Sequence, residues 1–192
     1  MKYIVCSLVL ALGFTACKKD LGACKDYKEA PGRQQLLDPA GIDFKPFRDT
    51  LEKYPQLQAV DYRNDQYSKN LSCNIYYKDL LIFSDTYSLY QNTTNDTIRK
   101  FGTIPVSPPA ASLSPGISYK DAITNAKRHA NFDHTCISYQ LGLFNRNYGG
   151  NNTPDYRLAW KIMGSGTPEI WVISDAHNNQ IFQISHGRYW VY

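Results

Sequence analysis

The 192-residue chain contains no apolar run of the roughly 20 residues that a membrane-spanning helix needs. It has no His-Glu-x-x-His pair to bind zinc and supply a base, no Gly-x-Ser-x-Gly elbow, no Walker loop and no Gly-x-Gly-x-x-Gly fingerprint. The zinc-peptidase, serine-hydrolase and nucleotide-binding readings are therefore without support, and no catalytic residue is assigned. Neither Cys-x-x-Cys nor His-x-x-x-His spacing occurs, so no metal or cofactor is expected. Charge of one sign is in short surplus: 21 basic against 17 acidic side chains leave a net +4, without the concentrated basic face of a nucleic-acid binder. Charged residues make up 20%, too few for a charge-driven disordered chain, while 43% hydrophobic residues suffice for a core.

What is present begins with a compartment signal. Lys2 is followed by an apolar stretch of about twelve residues from Tyr3 to Phe14 and by the small residues Thr15 and Ala16, the layout of a secretion signal over residues 1–16. Cys17 comes next, and Phe14-Thr15-Ala16-Cys17 resembles the lipobox of bacterial lipoproteins, with Phe14 in place of the usual Leu. That resemblance implies cleavage before Cys17, lipidation of its thiol and tethering to a membrane of the cell envelope, at the outer membrane or the cell surface. Several acyl chains on one residue hold firmly, since each buried methylene contributes about 0.8 kcal/mol. Removal of residues 1–16 takes one lysine and no acid, lowering the charge from +4 to +3. Residues 17–43 are polar, with Pro31-Gly32 and Pro39-Ala40-Gly41, and read as a flexible tether with a mean reach of about 25–30 Å.

After processing, the remaining cysteines are Cys24, Cys73 and Cys136, which in an oxidising envelope allow one disulfide and one leftover thiol. Cys73 and Cys136 both fall in strand-like segments and form the preferred pair.

Period and punctuation outline two halves. Pro46 opens a short helix to Lys53 with Phe47, Leu51 and Tyr54 on one face. Asn70–Tyr77, Leu80–Gln91 and Thr97–Ile104 read as three antiparallel strands. Prolines 105, 108, 109 and 115 exclude a central strand or a helix there and set a boundary between a unit at 44–110 and one at 111–192. Ser118 with Asp121 resembles a capping box, Ala122, Ile123, Ala126 and Ala130 give a narrow apolar face, and Tyr119–His129 is predicted as a helix packed on a sheet. Alternating residues at 137–143, 156–162 and 171–173 predict strands, and Ile181–Ser185 with Arg188–Tyr192 a last hairpin around Gly187. The fold class is α+β.

The second half resembles a PepSY domain, the propeptide module of secreted peptidases that also occurs without any peptidase. The residues that carry this are Ile117-Ser118-Tyr119-Lys120-Asp121-Ala122, Tyr156-Arg157-Leu158-Ala159-Trp160-Lys161-Ile162 and Trp171-Val172-Ile173-Ser174-Asp175-Ala176-His177. The family continues with Thr-Gly-Glu, where this chain has Asn178-Asn179-Gln180; asparagine tolerates the left-handed backbone that glycine supplies. The first half is similar to the preceding module of thermolysin-type propeptides through Tyr77-Lys78-Asp79-Leu80-Leu81-Ile82-Phe83 and Gly102-Thr103-Ile104-Pro105, with Asp79 and Leu81 replacing the usual Gly and Pro. The resemblance spans about residues 55–185. It implies two cystatin-like sheets in tandem, each wrapped on a helix, and a non-enzymatic role in binding or restraining a peptidase or another envelope protein.

The histidines, His129, His134, His177 and His186, are read as surface or capping residues, and the tyrosines with Trp160, Trp171 and Trp190 as core and cross-strand partners. A small-ligand or glycan-binding lipoprotein is the alternative function. A deep aromatic-lined cavity would favour it, whereas a filled interior and a bare sheet edge favour protein binding.

Overall fold

In the computed structural model, which describes residues 26–33, 37–94, 97–105, 112–132, 136–148, 153–165 and 169–185, each half opens with a helix that the sequence specifies locally. Pro46 stands in the first turn of α1 (Lys45–Lys53), where its missing N–H costs nothing. Phe47 of α1 is fully buried, and Phe44 meets its ring edge-on at 4.8 Å. In α2 (Tyr119–His129) the Ser118 Oγ accepts the Asp121 N–H at 3.2 Å and donates to the Asp121 carboxylate at 2.8 Å. Lys127, Arg128 and His129 occupy the last turn, where the helix dipole favours cations. The small side chains of Ala122 and Ala126 are fully buried beside Ile123, so the helix lies close against the sheet.

Nine strands form one sheet among the described residues: β1 (Lys28–Glu29), β2 (Leu57–Asn64), β3 (Ser68–Tyr77), β4 (Leu80–Asn92), β5 (Ile98–Phe101), β6 (Cys136–Asn145), β7 (Tyr156–Ser165), β8 (Ile170–Asp175) and β9 (Ile181–Ser185). The order is β2-β3-β4-β6-β7-β8-β9. Antiparallel pairing holds within each half, and a short parallel contact, Leu81↔Gly142 and Ile82↔Leu143, joins β4 to β6. These strands overlap where one starts and the other ends. β1 fills the flank left beside early β6, at Lys28↔Ser138, and β5 fills the flank beside late β4, at Ser88↔Phe101.

The α+β class expected from sequence is observed. Both halves feed one hydrophobic core: Phe47, Leu71 and Leu89 come from the first, and Ile123, Leu143 and Ile162 from the second. Two hairpins use left-handed residues. Lys78 and Asp79 (φ 47° and 65°) turn β3 into β4, and Asn179 (φ 64°) closes the loop between β8 and β9, the role assigned to asparagine there.

Three expectations need correction or fall outside. The tether at 17–43 does not hold for its described part, because β1 pairs with β6, Pro39–Gly41 forms a 3-10 helix, and Ile42 is fully buried. An apolar side chain in the core and a strand hydrogen-bonded to the sheet fix backbone that composition alone reads as loose. The first half has β2 in addition to the three predicted strands. The first strand of the last predicted hairpin is β9, and its second strand, 188–192, lies outside the described residues.

Candidate functional site

β2 is an end strand of the sheet. The Gln56 carbonyl accepts the Tyr76 N–H at 2.8 Å and so faces β3, which turns the next carbonyl, that of Leu57, to the outside. Arg33 occupies that outer side: its Nη2 donates to the Pro55 carbonyl at 2.6 Å and more weakly to that of Leu57 at 3.4 Å. Its guanidinium lies 5.2 Å from the Tyr76 ring centre. A side chain thus stands where a further strand would place its donor.

A cleft of about 700 Å³ runs along this edge. Its floor is Leu57, Gln58 and Ala59 of β2, one wall is Arg48, Leu51 and Glu52 of α1, and the other is Leu37, Pro39 and Ala40. Arg48 is steadied by donating to the Ile42 carbonyl. The lining thus carries two guanidiniums, Arg33 and Arg48, and one carboxylate, Glu52, beside the apolar Leu37, Leu51, Leu57 and Ala59. Further along the edge, the Asp43 carboxylate accepts from the Tyr62 hydroxyl and, at 2.8 Å, from Asn64, with Lys69 at 3.7 Å. The Tyr62 hydrogen bond is the main cause that holds the Asp43 carboxyl below its usual range. Burial, then the same bond, pushes the Tyr62 phenol up to about 12. This cluster ties the start of the first unit to the far end of β2.

The cleft offers backbone pairing, apolar contact and positive charge. None of its lining residues is aromatic. The described histidines, His129 and His177, are exposed and do not line it. Among the described residues no group of three or more His, Cys, Asp or Glu could hold a metal ion.

The cysteines part company with expectation. Cys73 is a free thiol, 1% exposed in the core, and burial pushes it up to about 12. Cys136 is disulfide-bonded, to a partner outside the described residues. The expected Cys73–Cys136 bridge is therefore not formed. Cys73 shares the core face with Leu71 and Ile75, whereas Cys136 alternates with the core residue Ile137 and faces the other way. The sheet itself stands between the two sulfurs. Cys17 lies outside the described residues.

Three of the aromatic residues considered for ligand stacking are spent on packing. Tyr119 and Tyr139 stack at 4.2 Å, and Trp160, 7% exposed, meets Tyr139 edge-on while its Nε1 donates to the Ile117 carbonyl at 3.2 Å. The cleft residues Arg33, Arg48 and Glu52 were not legible, because the strand beside them was not. The available signals were Leu57 and Ala59 two apart and the turn Asp38-Pro39-Ala40-Gly41.

No protein family matches the chain, and no curated protein matches it. Solved structures that resemble it include the Bacillus megaterium YpeB C-terminal domain, at 11% identity and a TM-score of 0.43, over 85% of this chain and 70% of that one.

Proposed function

We propose that the protein is a non-catalytic lipoprotein of the cell envelope whose PepSY-like body binds and restrains a partner protein, with a secreted peptidase as the partner class. The observation that carries the reading is the outer edge of β2, flanked by a cleft with an apolar floor and two guanidiniums. An extended partner segment can add itself to such an edge through backbone hydrogen bonds by displacing the Arg33 side chain from the Pro55 and Leu57 carbonyls, its alternate side chains entering the cleft. The propeptide resemblance of both halves supports the same role, and acylation of Cys17 after removal of residues 1–16 would keep the body at a membrane surface. The cleft has no aromatic lining, and Tyr119, Tyr139 and Trp160 are packed, which favours protein binding over the glycan-binding alternative at this site.

The test is a pull-down from envelope extract with the acylated protein, run beside an Ala40→Trp variant and followed by inhibition assays on any recovered peptidase. Ala40 is exposed on the cleft wall, so the indole fills the cleft without entering the core. The proposal expects one specific partner, inhibition, and loss of both in the variant. Recovery of no partner, or equal recovery by the variant, removes its basis.

A further inference from the structure

The sheet face turned away from α2 carries a second apolar cluster, and that cluster holds a cation with no carboxylate within salt-bridge distance among the described residues. On β7, Leu158, Trp160 and Ile162 belong to the main core, so Ala159, Lys161 and Met163 project from the opposite face. There Phe83, Phe144, Trp171 and Phe182 gather around Ala159 and Ile173. The Phe83 ring lies directly on Gly142, where an added Cβ would come within 2.4 Å of its Cζ. Phe144 and Phe182 stack at 5.4 Å, and the Arg146 guanidinium lies 5.6 Å from the Phe182 ring centre.

Lys161 sits in the middle of these rings. Its Nζ is 5.8 Å from the Phe83 ring centre and 5.4 Å from that of Trp171. Among the described residues no carboxylate lies within salt-bridge distance of it, and Glu169 acts on it only at longer range. Burial lowers the affinity of this amine for its proton. Ring faces attract an ammonium but accept none of its hydrogen bonds in the way an oxygen does, so the charge is left partly desolvated without full compensation. Phe83, Trp171 and Phe182 are only half-buried, and the face is open to a partner.

An apolar patch alone would not say what covers it, but the charge does. A plain apolar surface laid on this face would bury the ammonium completely, at a large cost. A carboxylate carried between apolar side chains would satisfy both the rings and the amine. We infer that this face is a docking surface for a protein segment that presents one carboxylate between apolar or aromatic side chains, the carboxylate pairing with Lys161 between Phe83 and Trp171. β7 lies four strands from β2, about 19 Å at the usual spacing, so the surface is separate from the cleft and stands or falls independently of it.

The probes are acetylated, amidated pentapeptides with a central Glu flanked by Leu, Phe, Tyr or Trp, each matched by its Gln counterpart. They are titrated into the uniformly ¹⁵N-labelled protein while the Trp171 indole and the amides of β7 and β8 are followed by NMR. The expected result is saturable shifts at Trp171 and Lys161 with at least one Glu peptide, about tenfold weaker binding of its Gln counterpart, and loss of the preference in Lys161→Met. Melting of that variant by circular dichroism checks that its fold is kept, and Lys161→Arg retains the charge and should retain the preference. Shifts of equal affinity for Glu and Gln peptides, an undiminished preference in Lys161→Met, or no saturable shift with any peptide overturns the inference.

Discussion

Gly142→Ala tests the junction that makes one sheet of two halves. Gly142 is paired with Leu81 in the short parallel contact between β4 and β6. A Cβ there would stand 2.5 Å from the Leu81 carbonyl oxygen and 2.4 Å from the Phe83 ring, whereas real Cβ atoms stay beyond 3.0 Å. The ring can swing aside, but the carbonyl is backbone, so β4 and β6 must part by at least about half an ångström. Overpacking of this kind costs about 1–3 kcal/mol, and a weakened junction hydrogen bond adds about 1 kcal/mol. The restricted unfolded chain returns about 0.4–1 kcal/mol. The net loss is about 1–4 kcal/mol, which for a body of this size lowers Tm by about 2–14 °C. Gly41→Ala is the control, since nothing lies within 4 Å of its added Cβ and its stability should be unchanged or slightly raised. Urea denaturation and thermal melts followed by circular dichroism read both variants. Equal midpoints for Gly142→Ala and wild type would refute the steric reasoning. Two separate transitions in the wild type would refute the shared core.

Replacing Lys78-Asp79 by Asn-Gly relieves two left-handed residues in the β3–β4 hairpin, and should raise stability by about 1 kcal/mol in the same urea assay. Peptide mapping of the unreduced protein should find Cys136 in a disulfide and Cys73 free. Under the proposed processing, which removes Cys6 and acylates Cys17, Cys24 is the expected partner, and Cys73 should react with thiol reagents only after unfolding. The Asp43–Tyr62 pair gives opposite signs at the two ends of the pH scale. Asp43 has a folded pKa below its unfolded value, so its contribution is present above the unfolded pKa and fades as pH falls. Tyr62 has a folded pKa raised to about 12, so its contribution is complete below the unfolded value near about 10 and is lost as pH rises through about 12. Asp43→Asn should flatten the acid limb of a stability–pH curve, and Tyr62→Phe the alkaline limb; unchanged limbs would show that the pair contributes nothing.

How far the sequence carries depends on whether the determinant is local. α2 was legible to the residue, because Ser118, Asp121 and the alanine face all act within three turns of chain. The Asp175–Asn179 loop was legible for the same reason: the Asp175 carboxylate accepts the His177 and Asn178 N–H groups, and Asn179 takes the left-handed position. β2 was not, since Leu57, Gln58 and Ala59 are buried in succession under α1 and a bulge follows between Ala59 and Asp61, which together erase the two-residue period. β1 was not, because it is held by a pairing with Ser138 and Tyr139, more than a hundred residues away. The first failure falls on the cleft, whose floor is β2, and a side chain from the supposed tether, Arg33, completes it.

The disulfide shows a different limit. Strand placement of Cys73 and Cys136 was right, but a strand has two faces. Cys73 keeps step with Leu71 and Ile75, and Cys136 runs out of step with Ile137. Parity read along each strand would have set the two sulfurs on opposite sides of any sheet containing both. The same parity puts Lys161 opposite Trp160 and Ile162, where a polar residue ordinarily meets water. Parity gives only the face; the rings of Phe83 and Trp171 reach Lys161 from two other strands, and that convergence turns an ordinary outward lysine into a partly desolvated charge.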